Sequence, residues 1–239
     1  MLLSISSKLR KYFKGFNSAP ETIMLFVYMK CRFSLSYRDL EEMATIRGTS
    51  IDHATLQRLV ARFTHLIDKQ VRKRKKPVGS RWRMDETYIK VNGKSMYLYR
   101  AVDTNGDTID FLFRKYRDKA AALAFFRKAI KHNGDPESIN IDKTDKSGSN
   151  MSAAKSINDD LPKEQQFRLH TIKYLNNIVE QDHRFIKKRT APMLGFKSYH
   201  SARNTLTGIE NVRMIQKGQI IGTTKQNSSF NNFKILMAA

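Results

Sequence analysis

Residues 81–116 read RWRMDETYIKVNGKSMYLYRAVDTNGDTIDFLFRKY. Three runs rich in β-branched and aromatic residues stand out: RWRMDETYIKV (81–91), SMYLYRAVD (95–103) and TIDFLFRKY (108–116). Asn92-Gly93 and Asn105-Gly106 separate them. Both residues of an Asn-Gly pair accept positive φ, which tight hairpin turns require, so the three runs predict an antiparallel meander.

Downstream the period changes. RDKAAALAFFRKAIKHN (117–133) places Ala121, Leu123, Phe126 and Ile130 at helical spacing and stops at Asn133-Gly134. ESINID (137–142) reads as a strand, NMSAAKSIN (150–158) as a short helix, FRLHTI (167–172) as a strand and YLNNIVEQDHRFIKKR (174–189) as a helix. The predicted order is β-β-β-α-β-α-β-α. Three antiparallel strands followed by alternating helix and strand define an α/β fold of ribonuclease-H-like type.

Upstream, residues 18–66 read as helical. SAPETIMLFVYMKCRF offers Ser18 as a cap and proline in the first turn. Two short amphipathic helices follow, about 36–46 and 52–66, around Arg47-Gly48-Thr49. Leu40 and Met43 stripe the first; Leu56, Leu59 and Val60 stripe the second, which Asp52 caps. Short helix, glycine turn and capped second helix form a helix-turn-helix pattern. His53, Thr55, Gln57 and Arg58 are then the groove-facing, DNA-binding candidates. The run Arg72-Lys73-Arg74-Lys75-Lys76 is too concentrated in charge to pack together, so solvent or phosphate must neutralise it. Pro77 and Gly79 mark a boundary. The expected organisation is a helical DNA-binding region (1–70), a basic linker (71–80), a catalytic domain (81–218) and a C-terminal tail (219–239).

Charge supports a polyanionic partner. The 239 residues carry 44 Lys and Arg against 22 Asp and Glu, a net of +22. The excess is uneven: 16 basic against 6 acidic residues in 1–80, 10 against 2 in 181–239, and 18 against 14 between. Basic flanks suit double-stranded DNA, and the balanced centre keeps its carboxylates for other work. Cys31 is the single cysteine, which excludes disulfide frameworks and cysteine zinc sites. The apolar run Ile23–Met29 is too short to span a bilayer, and the first residues lack the apolar stretch of a signal peptide, so the chain reads as cytoplasmic.

The predicted topology lets carboxylates converge from separate elements. Asp85 lies within the first strand, Asp142 and Asp145 at or beyond the end of the fourth, and Glu180 on the last helix. Glu180, Arg184 and Lys187 share a helix face at i, i+4 and i+7. A hard cation such as Mg2+ takes oxygen ligands and keeps several waters. Two such ions about 3.5–4 Å apart stabilise the attacking and leaving oxygens of an in-line phosphoryl displacement. DNA cleavage and strand transfer are that reaction.

The segments SYRDLEEM, MDETYIKVNGKSMYLYRAVDTNGDTIDF, DKSGSN, KYLNNIVEQDHRFIKKR and MLGFKS together resemble the DDE transposases of the IS-six family of bacterial insertion sequences. The resemblance spans about residues 20–218. It implies helix-turn-helix binding of element ends, a ribonuclease-H-like catalytic domain, and Mg2+-dependent cleavage and joining of DNA ends, with Mn2+ as a substitute. It also implies a dimer or larger assembly on paired terminal repeats and target DNA. The family's first aspartate falls on Asp85, its glutamate on Glu180 and the basic residue seven places later on Lys187. For the second aspartate two registers compete. Asp142 ends the strand, whereas Asp145 leads into KSGSN and leaves 34 residues before Glu180. Strand pairing favours Asp142. Two other readings stand beside the transposase: a DNA-binding regulator whose second domain is inert, and a metal-dependent nuclease without strand transfer.

Overall fold

The computed structural model describes residues 3–142 and 148–239. In chain order the helices α1 (Ser7–Arg10), α2 (Pro20–Arg32), α3 (Tyr37–Ile46) and α4 (His53–Arg74) come first. Then follow β1 (Arg81–Val91), β2 (Lys94–Val102), β3 (Thr108–Arg114), α5 (Lys119–Asn133), β4 (Ser138–Ile141), α6 (Ser149–Asp159), β5 (Arg168–His170) and α7 (Asn177–Thr190). The helices α8 (Tyr199–Gln216) and α9 (Ser229–Ala238) end the chain. One compact unit comprises residues 1–76, 189–193 and 197–239; the other comprises 77–188 and 194–196.

The first unit is helical. Ser36 and Asp39 close a reciprocal capping box at the start of α3, and the Asp52 carboxylate accepts the backbone N–H groups of Ala54 and Thr55 at the start of α4. Ser18 makes no cap; Ala19 holds that position without a side-chain bond, and Pro20 starts α2 with its preset φ. Gly48, at φ +70°, makes the turn between α3 and α4. The inward stripe of α4 is Leu56, Leu59, Val60, Phe63, Ile67 and Val71, all buried. Helix α8 packs on α2 and α4. Gly208 permits that approach, because a Cβ there would come 2.3 Å from Cys31 Sγ and 2.7 Å from Thr64 Cγ2.

Two of the expected stretches take regular structure. Within 71–80, α4 continues through Arg74, and Lys75 forms an antiparallel bridge with Ile220. Leu66, Ile67 and Val71 extend the apolar stripe past residue 66, which is why the helix continues. Within 219–239 lies α9. Phe233, Leu236 and Met237 recur at helical spacing and are buried, and the Phe233 ring packs on Tyr28 at 4.8 Å between centroids. Asn232 donates to the carbonyls of Ile215 (3.0 Å) and Thr224 (2.7 Å), fixing α9 to the end of α8. Helix α8 belongs to the helical unit.

The second unit is built on a five-stranded sheet of order β3-β2-β1-β4-β5. The pairs β1–β2 and β2–β3 are antiparallel, β1–β4 and β4–β5 parallel. This is the ribonuclease-H-like order that the sequence predicts. Trp82, Met84, Tyr99, Ala101, Ile109, Ile139 and Ile141 meet the buried faces of α5 and α6 through Ala122, Phe125, Phe126, Ala153 and Ala154. The opposite face of β1 carries Arg81, Arg83 and Asp85 at alternate positions. No described helix is long and apolar enough to cross a membrane.

Candidate active site

Pairing register brings the first two carboxylates together. Residues Arg81 to Met84 of β1 lie beside Ser138 to Ile141 of β4, a constant offset of parallel partners. One further step places Asp142 beside Asp85, on strands about 4.8 Å apart. The third carboxylate comes from α7. Asn140 donates to Asn176 Oδ1 (2.8 Å) and to the Ile172 carbonyl (3.0 Å), while Asn176 donates to the Met84 carbonyl (3.3 Å). These bonds tie β4, β1 and the segment entering α7 into one network, and Glu180 follows one turn later.

The electrostatics of Asp85 report this convergence. Burial, then the charge of Glu86, then those of Asp142 and Glu180 push its carboxyl up to about 7, against a single backbone hydrogen bond that lowers it. Glu86 is accounted for separately. It faces the other side of β1, pairs with Arg117 and accepts Asn150 Nδ2 at 2.7 Å. Among the described residues no three carboxylate, histidine or cysteine side chains are grouped so that they could hold a metal ion.

Behind Asp85 lies a second polar layer. The inward stripe of α7 is Val179, Asp182, His183 and Ile186, all buried. Asp182 accepts from Arg100 Nη2 at 3.1 Å, with both side chains almost wholly inaccessible. Arg100 is the β2 partner of Asp85, so this ion pair fixes α7 over the strand position that carries Asp85. His183 Nδ1 stands 3.4 Å from Asp85 Oδ2. Burial first, then Arg100 and Lys187, push His183 down to about 3. The imidazole is therefore held neutral, and its 3.4 Å contact with Asp85 is not an ion pair.

A family model for the DDE domain of IS240-type transposases matches residues 79–219. The transposase of the insertion sequence-like element IS431mec from Staphylococcus aureus strain Mu50 is 38% identical over 210 residues, covering 86% of this chain and 88% of the relative. The transposase of insertion sequence element IS257 in transposon Tn4003, also from Staphylococcus aureus, matches at the same identity and coverage. The chain belongs to the IS-six family of DDE transposases. A solved HTLV-2 integrase catalytic core domain in complex with magnesium gives a TM-score of 0.43 at 16% identity, over 66% of this chain and 98% of that one. As a DDE transposase the protein is a polynucleotidyl transferase acting in DNA transposition.

The transposase's remaining predicted site residues divide. Asp145 lies outside the described residues. His53, Gln57 and Arg58 are exposed along the start of α4, where Arg58 Nη2 donates to the half-buried Thr55 hydroxyl at 2.9 Å and His53 Nδ1 meets Glu41 at 2.9 Å. The basic run does not act as one patch. Arg72 pairs with Asp68 (2.9 Å), and the Lys76 ammonium donates to the carbonyls of Gly218 (2.8 Å) and Thr223 (2.7 Å). Lys76 thus serves as an internal tie to the chain that follows α8. Lys73 and Arg184 are exposed, and Lys187 lies over the Tyr88 ring at 4.9 Å from its centroid. Sequence reading missed Arg100, Asp182, His183, Asn140 and Asn176. Asp182 and His183 sit inside the VEQDH segment, and their position on the same helical stripe as Val179 and Ile186 was the available signal.

Proposed function

We propose that Asp85, Asp142 and Glu180 hold two divalent cations, Mg2+ or Mn2+ in its place, and that the transposase uses them to cleave and join the ends of an insertion sequence. The observation that carries this reading is the register that sets Asp142 beside Asp85, with the charges of Asp142 and Glu180 both bearing on the Asp85 carboxyl. Carboxylates that repel one another favour a bound cation, and oxygen donors suit a hard ion that retains waters. When bound, the metal pair supplies stabilisation of the attacking and leaving oxygens in an in-line phosphoryl displacement.

The chain's own residues do the rest. The Arg100–Asp182 pair and the Asn140–Asn176 network hold α7 so that Glu180 faces Asp85. Neutral His183 packs against Asp85 without adding charge. Arg184 and Lys187, one and two turns beyond Glu180, contact phosphates flanking the scissile bond, and His53, Thr55, Gln57 and Arg58 read the element ends. Two ends must meet, so the active species is a dimer or larger on DNA.

The test uses paired element-end DNA. Mg2+-dependent strand transfer that Asp85→Asn abolishes supports the reading. End binding without nicking under any divalent metal would sink it in favour of a regulator, and nicking without joining would favour a nuclease. End binding should also weaken steeply with salt as counterions are released; a flat response counts against a DNA substrate.

A further inference from the structure

The face of β1 that carries Asp85 also carries a ladder leading away from it. Arg83 pairs with Asn140, and Asn140 with His170; one step further, Arg81 pairs with Ser138, and Ser138 with Arg168. Alternate residues of a strand share a face about 7 Å apart. The two rows therefore lie about 7 and about 14 Å along the strands from the Asp85–Asp142 row. Arg81, Arg83, Glu137, Arg168 and His170 line a cleft of about 350 Å³, with Ile172 on its apolar side.

The charge in this cleft is unbalanced. Three guanidinium groups face one carboxylate, Glu137, which Arg81 Nε meets at 3.1 Å and which Arg168 shares. Those contacts, Arg81's hydrogen bond foremost, hold Glu137 below the usual carboxylate range. Arg83 donates from Nη1 to the Asp103 carbonyl at 3.3 Å, but its Nε is buried and meets no acceptor among the described residues. A buried donor left unmatched is costly. A strand clamp alone needs one arginine per glutamate. The surplus arginines and the unmatched N–H fit an incoming group rich in acceptor oxygens, and the planar guanidinium fork matches a phosphate in shape.

We propose that this cleft is a phosphate-binding site distinct from the carboxylate row, taking either a phosphodiester of a DNA strand or a free phosphate. The phosphate chemistry stands on the cleft alone; only the DNA source rests on the transposase reading. A DNA backbone in the cleft grips its strand on the sheet face that carries Asp85, and the grip needs no metal.

The experiment is run on the full chain in EDTA. Anisotropy of a labelled 12-nucleotide single strand of arbitrary sequence is measured across salt concentrations, and inorganic phosphate is titrated separately by 31P line broadening. Arg168→Gln and Arg83→Gln, singly and together, are compared with the parent chain. Each lost single-strand phosphate contact should flatten the log-affinity against log-salt slope by about 0.7, so the double variant should flatten it by about 1.4. Its affinity should fall at least tenfold. Arg168 has a side chain 68% exposed, so Arg168→Gln keeps the fold if Arg83→Gln does not. An oligonucleotide effect assigns the DNA source; an effect on phosphate broadening alone assigns the free anion. Unchanged values for both ligands in Arg168→Gln and in the double variant overturn the proposal. Absence of metal-dependent strand transfer in the parent chain would sink the transposition reading without altering these metal-free measurements.

Discussion

Helices α4 and α7 follow the same 3.6-residue period and use it differently. The buried positions of α4 are apolar apart from Thr64 and Gln70, and none of them carries a charge. The corresponding stripe of α7 gives two of its four positions to Asp182 and His183. Burial of an unpaired charge is costly, so Asp182 requires Arg100, which is itself fully buried. The α4 stripe holds a helix in place. The α7 stripe also holds it in one rotational setting, because a charge pair with a defined partner tolerates less rotation than a methyl group among methyl groups.

That contrast can be broken from its functional end first. Asp85→Asn should lower Mg2+-dependent strand transfer by about a thousandfold, the upper range for removing one group that stabilises developing charge. Asp142→Asn should match it, whereas Asp145→Asn should stay within about tenfold of the parent, a difference readable in a gel-based joining assay. Next in size, Arg100→Met should destabilise the chain by about 3–5 kcal/mol in urea unfolding by stranding the Asp182 carboxylate. Replacing both partners, Arg100→Met with Asp182→Leu, should restore most of that stability but not strand transfer; full recovery of transfer would show that rotational setting is irrelevant. In α4, Leu59→Ala should cost about 3 kcal/mol through the cavity it leaves, and no second substitution across a charge pair can rescue it. Smallest for stability is Arg58→Ala, expected within about 0.5 kcal/mol of the parent, while end binding weakens roughly tenfold by anisotropy.

The sequence made legible what local chemistry determines. Asn92-Gly93 and Asn105-Gly106 set the meander, Asp52 starts α4, and the spacing of Leu123, Phe126 and Ile130 shows α5. Strand and helix context put Asp85 on β1 and Glu180 on α7. Long-range register was less visible. The last five residues of β2 are all buried, so its alternation does not reveal that Arg100 lies opposite Asp85 rather than at a solvent edge. The basic stretch 71–80 reads locally as a linker, because the carbonyls of Gly218 and Thr223 that receive Lys76 lie more than 140 positions away. Residues 219–239 carry a short apolar pattern whose partners, Tyr28 and Ile215, no local window includes. The cleft beside Arg83 was invisible for the same reason: its arginines come from two strands more than 80 positions apart in sequence.

The tie between Lys76 and residues 218–223 bears on how the protein is made. Residues 77–188 leave the ribosome before residues 197–239, which complete the helical unit. Domains fold as their chain becomes available, so the sheet and its carboxylates can form while α4 still lacks α8 and α9. A nascent chain therefore completes its sheet before the helical unit around α4 is closed, and a stop codon just upstream of α8 would yield the first without the second.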